Sequence, residues 1–224
     1  MPTPSRKNGE LPNTFRPQQF HIRPAGESAI LIEAESAETV RPLTNWVNSH
    51  RLRQRLRQAI PATKTLFLSG DPLALRVIGA ELESIESIES LPIAREGKRV
   101  VVDVRYDGED LAEVADRVGL SPREIVALHC GADHVVEFFG FAPGQAFFGG
   151  LPAGLQIPRR RTPRTLVPAG ALAIANGFTV IYPQHSPGGW NLIGTRVSEP
   201  LWDIRNVPPN RLEVGDVVRF RPCP

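Results

Sequence analysis

At 224 residues the chain is long enough for one large or two small domains, each with its own core. Its 26 Lys and Arg against 24 Asp and Glu leave a net charge of +2, which removes any strong electrostatic case for nucleic acid or an anionic membrane as partner. Two cysteines, Cys130 and Cys223, cannot build a disulfide framework, and no run approaches the ~20 apolar residues of a membrane span, so a soluble protein of the reducing cytoplasm is expected.

In chain order, the polar, Pro-rich segment up to Pro17 reads as a disordered leader. Residues 18–95 then read as a small α+β domain. FHIRPAG and AILIEA are short strands with Gly26 at the turn between them, and Glu38 to Ser49 has helical spacing. The basic run His50 to Gln58 either continues that helix or breaks into a strand near Leu56 to Ile60. ATKTLFLSG is a strand, and a helix is expected from Asp71 through Ser90, with Asp71 as N-cap, Pro72 at its first position, and Ile85 and Ile88 extending the Leu75, Ile78, Leu82 stripe. Pro92 and Gly97 mark a linker.

From residue 96 to 224 the texture turns mainly β, with two short helices. RVVVDVRY alternates as a strand. Helices are expected in EDLAEVADRVG and SPREIVALH, the second opened by a Ser121, Pro122, Glu124 capping box. This pair mimics a DNA-binding helix-turn-helix, but its second helix carries Arg123 as its only firm positive charge, so it reads as a packing hairpin. VVEFFGF, ALAIA, FTVIYP and DVVRFRP follow as short strands with turn signals between most of them, a pattern that argues for a barrel. His129, Cys130, Asp133 and His134 match no metal-ligand spacing, and no metal site is expected.

The densest punctuation lies between Gly140 and Arg196. Glycine permits close backbone approach and proline stiffens the flanks, so a site is expected here. Ser186-Pro187-Gly188-Gly189-Trp190 is either a tight strand connection with Trp190 as a core anchor, or a nest of backbone N–H groups for an anion, walled by Trp190. His185, directly before it, is a candidate general acid/base or a surface histidine. Arg159, Arg160, Arg161 and Arg164 fall in six positions of one loop; they cannot all converge, and one or two are expected to bind phosphate or carboxylate. Gln145 and Phe147 are placed on the rim, where the Gln145 carboxamide offers donor and acceptor to an amide, while Phe147 or Phe148 enters the core.

GFAPG (140–144), GGLP (149–152), PRRRTPR (158–164), VPAG (167–170), IYP (181–183), SPGGW (186–190) and GDVVRF (215–220) occur in one order. Together they resemble the family that includes the B-type component of 5-oxoprolinase, allophanate hydrolase subunit 1, Kip-type inhibitors of sporulation kinases and part of the carboxyltransferase domain of urea amidolyase. Departures from the family pattern fall at Gln145 and Phe147, at Phe178 and Val180, and at Thr195 and Arg196. The resemblance implies a cyclophilin-like β-barrel for residues 96–224 and a subunit of a heteromeric, ATP-dependent amidohydrolase that opens 5-oxoproline to glutamate. ATP, with or without magnesium, is then bound with or by a companion subunit, of the kind found as the C-type component of 5-oxoprolinase or as allophanate hydrolase subunit 2, since the chain carries no Walker motif. On this reading Gly188 and Gly189 hold an anionic group, one of Arg160, Arg161 or Arg164 binds phosphate or carboxylate, and His185 or Thr179 relays a proton. The alternatives are a Kip-like inhibitor of a histidine kinase, and one half of a biotin-dependent carboxyltransferase.

Overall fold

The computed structural model of the protein describes residues 19–85, 87–88, 91 and 97–224. The expected leader lies outside these residues, as does most of the expected linker. The first elements are β1 (Phe20–Pro24) and β2 (Ala29–Ala34), antiparallel with Ile22 opposite Ile32. Helix α1 (Ala37–Ser49) turns Val40, Leu43 and Val47 inward at helical spacing, and accommodates Pro42 inside it. The ambiguous basic run resolves into a 3-10 turn at Arg53–Arg55 and β3 (Leu56–Pro61). β4 (Thr65–Gly70) pairs with both β2 and β3, giving the sheet order β1-β2-β4-β3.

Asp71 caps α2 (Pro72–Glu83), its carboxylate accepting the Ala74 N–H at 2.9 Å. This helix ends at Glu83, short of the expected Ser90, because the Ser84 hydroxyl donates to the Glu81 carbonyl at 2.6 Å and competes with the next helical bond. Ile85 and Ile88 still pack, partly buried, on the core that α1 and α2 form with Ile32, Leu66 and Leu68. That stripe continues beyond the helix.

Seven strands close the barrel: β5 (Arg99–Arg105), β6 (His134–Phe139), β7 (Ala146–Gly149), β9 (Ala171–Ala175), β10 (Phe178–Ile181), β12 (Asn191–Arg196) and β13 (Val217–Pro222). Their order is β10-β7-β6-β13-β5-β12-β9, and β9 returns to β10. The β13–β5 pair is parallel, with Phe220 opposite Val102. Helices α3 (Leu111–Val118) and α4 (Pro122–Gly131) form the expected hairpin, with Gly119 left-handed at φ 72° and the Ser121/Glu124 capping box in place. Val114, Ala115 and Ile125 lie in the barrel core, so the hairpin is a packing element.

Period-two alternation explains where the site forms. Along β9, Leu172 and Ile174 enter the barrel core, while Ala171, Ala173 and Ala175 join a second cluster with Val167, Val180, Tyr182, Trp190 and Leu192. Likewise Phe148 faces the core and Phe147 packs against the second cluster. A separate ribbon, β8 (Arg164–Val167) paired with β11 (Ser186–Gly188), covers this second face. No helix among the described residues is long and apolar enough to cross a membrane.

Candidate functional site

A cleft of about 270 Å³ opens between the outer face of the barrel wall and the ribbon. Phe147 of β7 and Tyr182, just after β10, supply one wall; Pro187, Gly188, Gly189 and Trp190 supply the other. Arg159 and Pro163 close the side formed by the arginine loop. Phe141 stands at the lip, 72% exposed and at φ 69°, a left-handed conformation that a bulky residue adopts only when its surroundings hold it there.

Aromatic edges set the shape. The Phe147 ring meets Trp190 edge-on at 5.7 Å and stacks on Phe138 at 4.5 Å. The Arg159 guanidinium lies 5.4 Å from the Trp190 ring centroid, and among the described residues it makes no ion pair. Its charge is therefore offered to the cleft mouth. Burial raises the Tyr182 phenol above its ordinary pKa, against the pull of Arg159 and Arg164 and a backbone hydrogen bond from Trp190, so it stays a neutral hydroxyl at working pH.

Gln145 is the polar group of the inner wall. It is 3% exposed, and its Oε1 is buried with no hydrogen-bond partner among the described residues, an arrangement that ordinarily costs about 1–3 kcal/mol. The Ser186 Oγ on β11 is likewise buried and without a partner among the described residues.

The glycines act by their lack of a side chain. A Cβ on Gly188 would sit 2.3 Å from the Tyr182 Oη, so only glycine lets the ribbon approach that phenol. Neither Gly188 nor Gly189 has positive φ, and Ser186–Gly188, part of the run expected as a nest of backbone N–H groups or a tight strand connection, is extended strand. It lines the cleft as a smooth edge.

Other expected site residues lie elsewhere. Arg160 and Arg164 turn away to Asp110, a 3%-exposed carboxylate that accepts from Arg160 Nη1 at 2.6 Å, Arg164 Nη2 at 2.7 Å and the Leu192 N–H at 2.7 Å. Glu113 and Glu109 add outer contacts to the same two arginines. Arg161 and His185 are exposed, and neither lines the cleft. Thr179 is fully buried and meets His129 Nε2 at 3.0 Å. That histidine also meets the Tyr106 hydroxyl at 2.7 Å and is held well below its usual pKa, first by burial and then by His134. Of the remaining metal-like residues, Cys130 donates to the Tyr106 hydroxyl and Asp133 pairs with Arg99 and Arg219.

Residue type alone does not mark Asp110, Tyr182 or Pro163 for this site. The available signal was the Asp-Gly-Glu-Asp turn ahead of α3, whose acids outnumber any local basic partner, and the tyrosine of Ile-Tyr-Pro.

The closed barrel and its ribbon fall within residues 20–212, which match the family model described as "Carboxyltransferase domain, subdomain C and D", and this sets the class of the module. The B-type component of 5-oxoprolinase from Escherichia coli O157:H7 is 38% identical over 212 residues, covering 88% of this chain and 93% of that protein. The crystal structure of TTHA0988 superposes with a TM-score of 0.73 at 36% identity over 91% of this chain, which spans 40% of that longer chain. The Kluyveromyces lactis urea carboxylase, at 15% identity and a TM-score of 0.67, covers 92% of this chain and shares its fold. The chain belongs to the carboxyltransferase subdomain C and D family, as a homologue of the B-type components of 5-oxoprolinase.

Proposed function

We propose that this chain is one subunit of an ATP-dependent 5-oxoprolinase and that its barrel-wall cleft holds the small cyclic amide. The observation that carries this reading is the cleft itself: an aromatic slot with an unpartnered carboxamide inside and an unpaired guanidinium at its mouth, in a homologue of 5-oxoprolinase B-type components. Arg159 would hold the substrate carboxylate through charge-assisted hydrogen bonds. Phe147 and Trp190 would form the apolar wall against which the ring lies and help to exclude water, and the neutral Tyr182 hydroxyl would donate to oxygen as charge develops there. His185 and Thr179, the expected proton relays, would act on this substrate only through a change of conformation, because neither reaches the cleft.

The cleft does not fit a nucleotide triphosphate. It offers one guanidinium, Arg160 and Arg164 are already held by carboxylates, and Arg161 does not line it. We therefore assign ATP, with any magnesium, to the companion subunit or to the interface with it, and place the complex in the cytoplasm. Coexpression of the pair should yield a stable hetero-complex on sedimentation, with phosphate release that needs both ATP and 5-oxoproline. A chain that ignores the companion subunit, or that is active alone, would overturn the assignment. His185→Gln in that complex is expected to keep turnover and pH profile close to wild type, because the side chain faces solvent.

A further inference from the structure

We propose that Gln145 is the specificity residue of the cleft and reads the edge of a cis-amide, so that the ligand class is small five-membered lactams and imides bearing an anionic group. This deepens the functional reading above and rests on the cleft being the substrate site. In a lactam ring the N–H and C=O are cis and lie along one edge, whereas an open-chain secondary amide is trans and points them in opposite directions. A carboxamide carries one acceptor and two donors on a matching edge, so it can meet a cis-amide with two antiparallel hydrogen bonds and a trans-amide with one. Whichever way the Gln145 amide is turned, that complement persists.

The position of the group gives a direction to the ligand. Gln145 is 3% exposed, with its Oε1 buried and unpartnered among the described residues, whereas Arg159 is exposed above Trp190. The amide edge therefore enters first, the ring lies against the wall that Phe147 and Trp190 form together, and the carboxylate stays at the mouth beside Arg159. A nearly buried carboxamide on the cleft wall discriminates strongly, because a ligand lacking the complementary group leaves it unpaired.

Calorimetric titration of the full chain, and of its complex with the companion subunit, tests this with 5-oxoproline, N-methyl-5-oxoproline and N-acetylalanine as probes. The expected result is tight binding of 5-oxoproline and about ten- to hundredfold weaker binding of the other two. Gln145→Leu should erase that preference without lowering the melting temperature. Should Gln145→Leu fail to fold, Gln145→Met keeps the length of the side chain but removes both the acceptor and the donors, and the same loss of preference is expected. A variant that retains the wild-type preference, or the absence of any Gln145-dependent binding in the complex, overturns the proposal. If turnover of 5-oxoproline persists in that case, the functional reading stands without it. Conversely, Gln145-dependent binding of hydantoin-5-acetate with no binding of 5-oxoproline would keep the cis-amide reader and discard the substrate.

Discussion

Three of the four arginines within six positions answer to different partners. Arg159 lies over an indole at the cleft mouth, while Arg160 and Arg164 share the buried carboxylate of Asp110. Their substitutions should therefore separate. Arg159→Ala is expected to weaken ligand binding about ten- to hundredfold, the scale of a lost charge-assisted pair, with little change in stability. Arg160→Ala or Arg164→Ala should leave affinity near wild type and cost about 1–3 kcal/mol of stability. That is less than the ~3–5 kcal/mol of a fully orphaned buried charge, since the other arginine remains on Asp110. Calorimetric affinity and urea midpoints measured on the same three variants check the ordering. An affinity loss at Arg164 in place of Arg159 would move the anion site to the Asp110 side.

At the level of elements, the ribbon of β8 and β11 decides what the cleft admits. Gly188→Ala places a methyl group 2.3 Å from the Tyr182 Oη, so either the phenol or the ribbon must shift, at about 1–3 kcal/mol. Gly189→Ala meets Pro163 at 3.6 Å, an ordinary contact on a backbone without positive φ, and is expected to leave the melting temperature nearly unchanged. Comparing the two melting curves is a direct check, and equal losses would mean that the ribbon is held more tightly at Gly189 than its contacts indicate. The strong local signals in this chain were legible: the Asp71 and Ser121 caps, the α3–α4 hairpin and the alternating strands around β5 and β13 all follow residue patterning. What escaped depends on tertiary contact. ALAIA reads as a strand, but its burial on both faces as β9 is set by the cluster that packs outside the barrel, and the Ser-Pro-Gly of β11 has no strand propensity until β8 pairs with it. The arginine loop gave the residue type but not the partner, because Asp110 is some fifty positions earlier in the chain.

For the whole molecule, the barrel interior sets a pH dependence. His129 and His134 are both buried, and burial is the main reason that each has its pKa lowered; His134 pushes His129 further down, while the His129 carbonyl and Asp133 partly oppose the shift at His134. In the unfolded chain both protonate near pH 6.5, so the unfolded state binds more protons below that pH. Stability should be at its full value above about pH 6.5 and fall as pH drops, by up to ~1.4 kcal/mol per pH unit for each histidine. Glu137, whose carboxyl is raised mainly by burial, acts in the opposite sense over the carboxylate range. Urea midpoints between pH 8 and pH 5 report the slope, and a flat profile would mean that the histidines charge in place. The doubly buried β9 carries a different kind of consequence. Its alanines underlie the cleft while Leu172 and Ile174 fill the barrel, so a mutation that reshapes the cleft from below is also a mutation of the barrel core. On the proposed reading, selectivity would be altered with the barrel packing left intact only by substitutions in the ribbon, the arginine loop and the Phe141 lip.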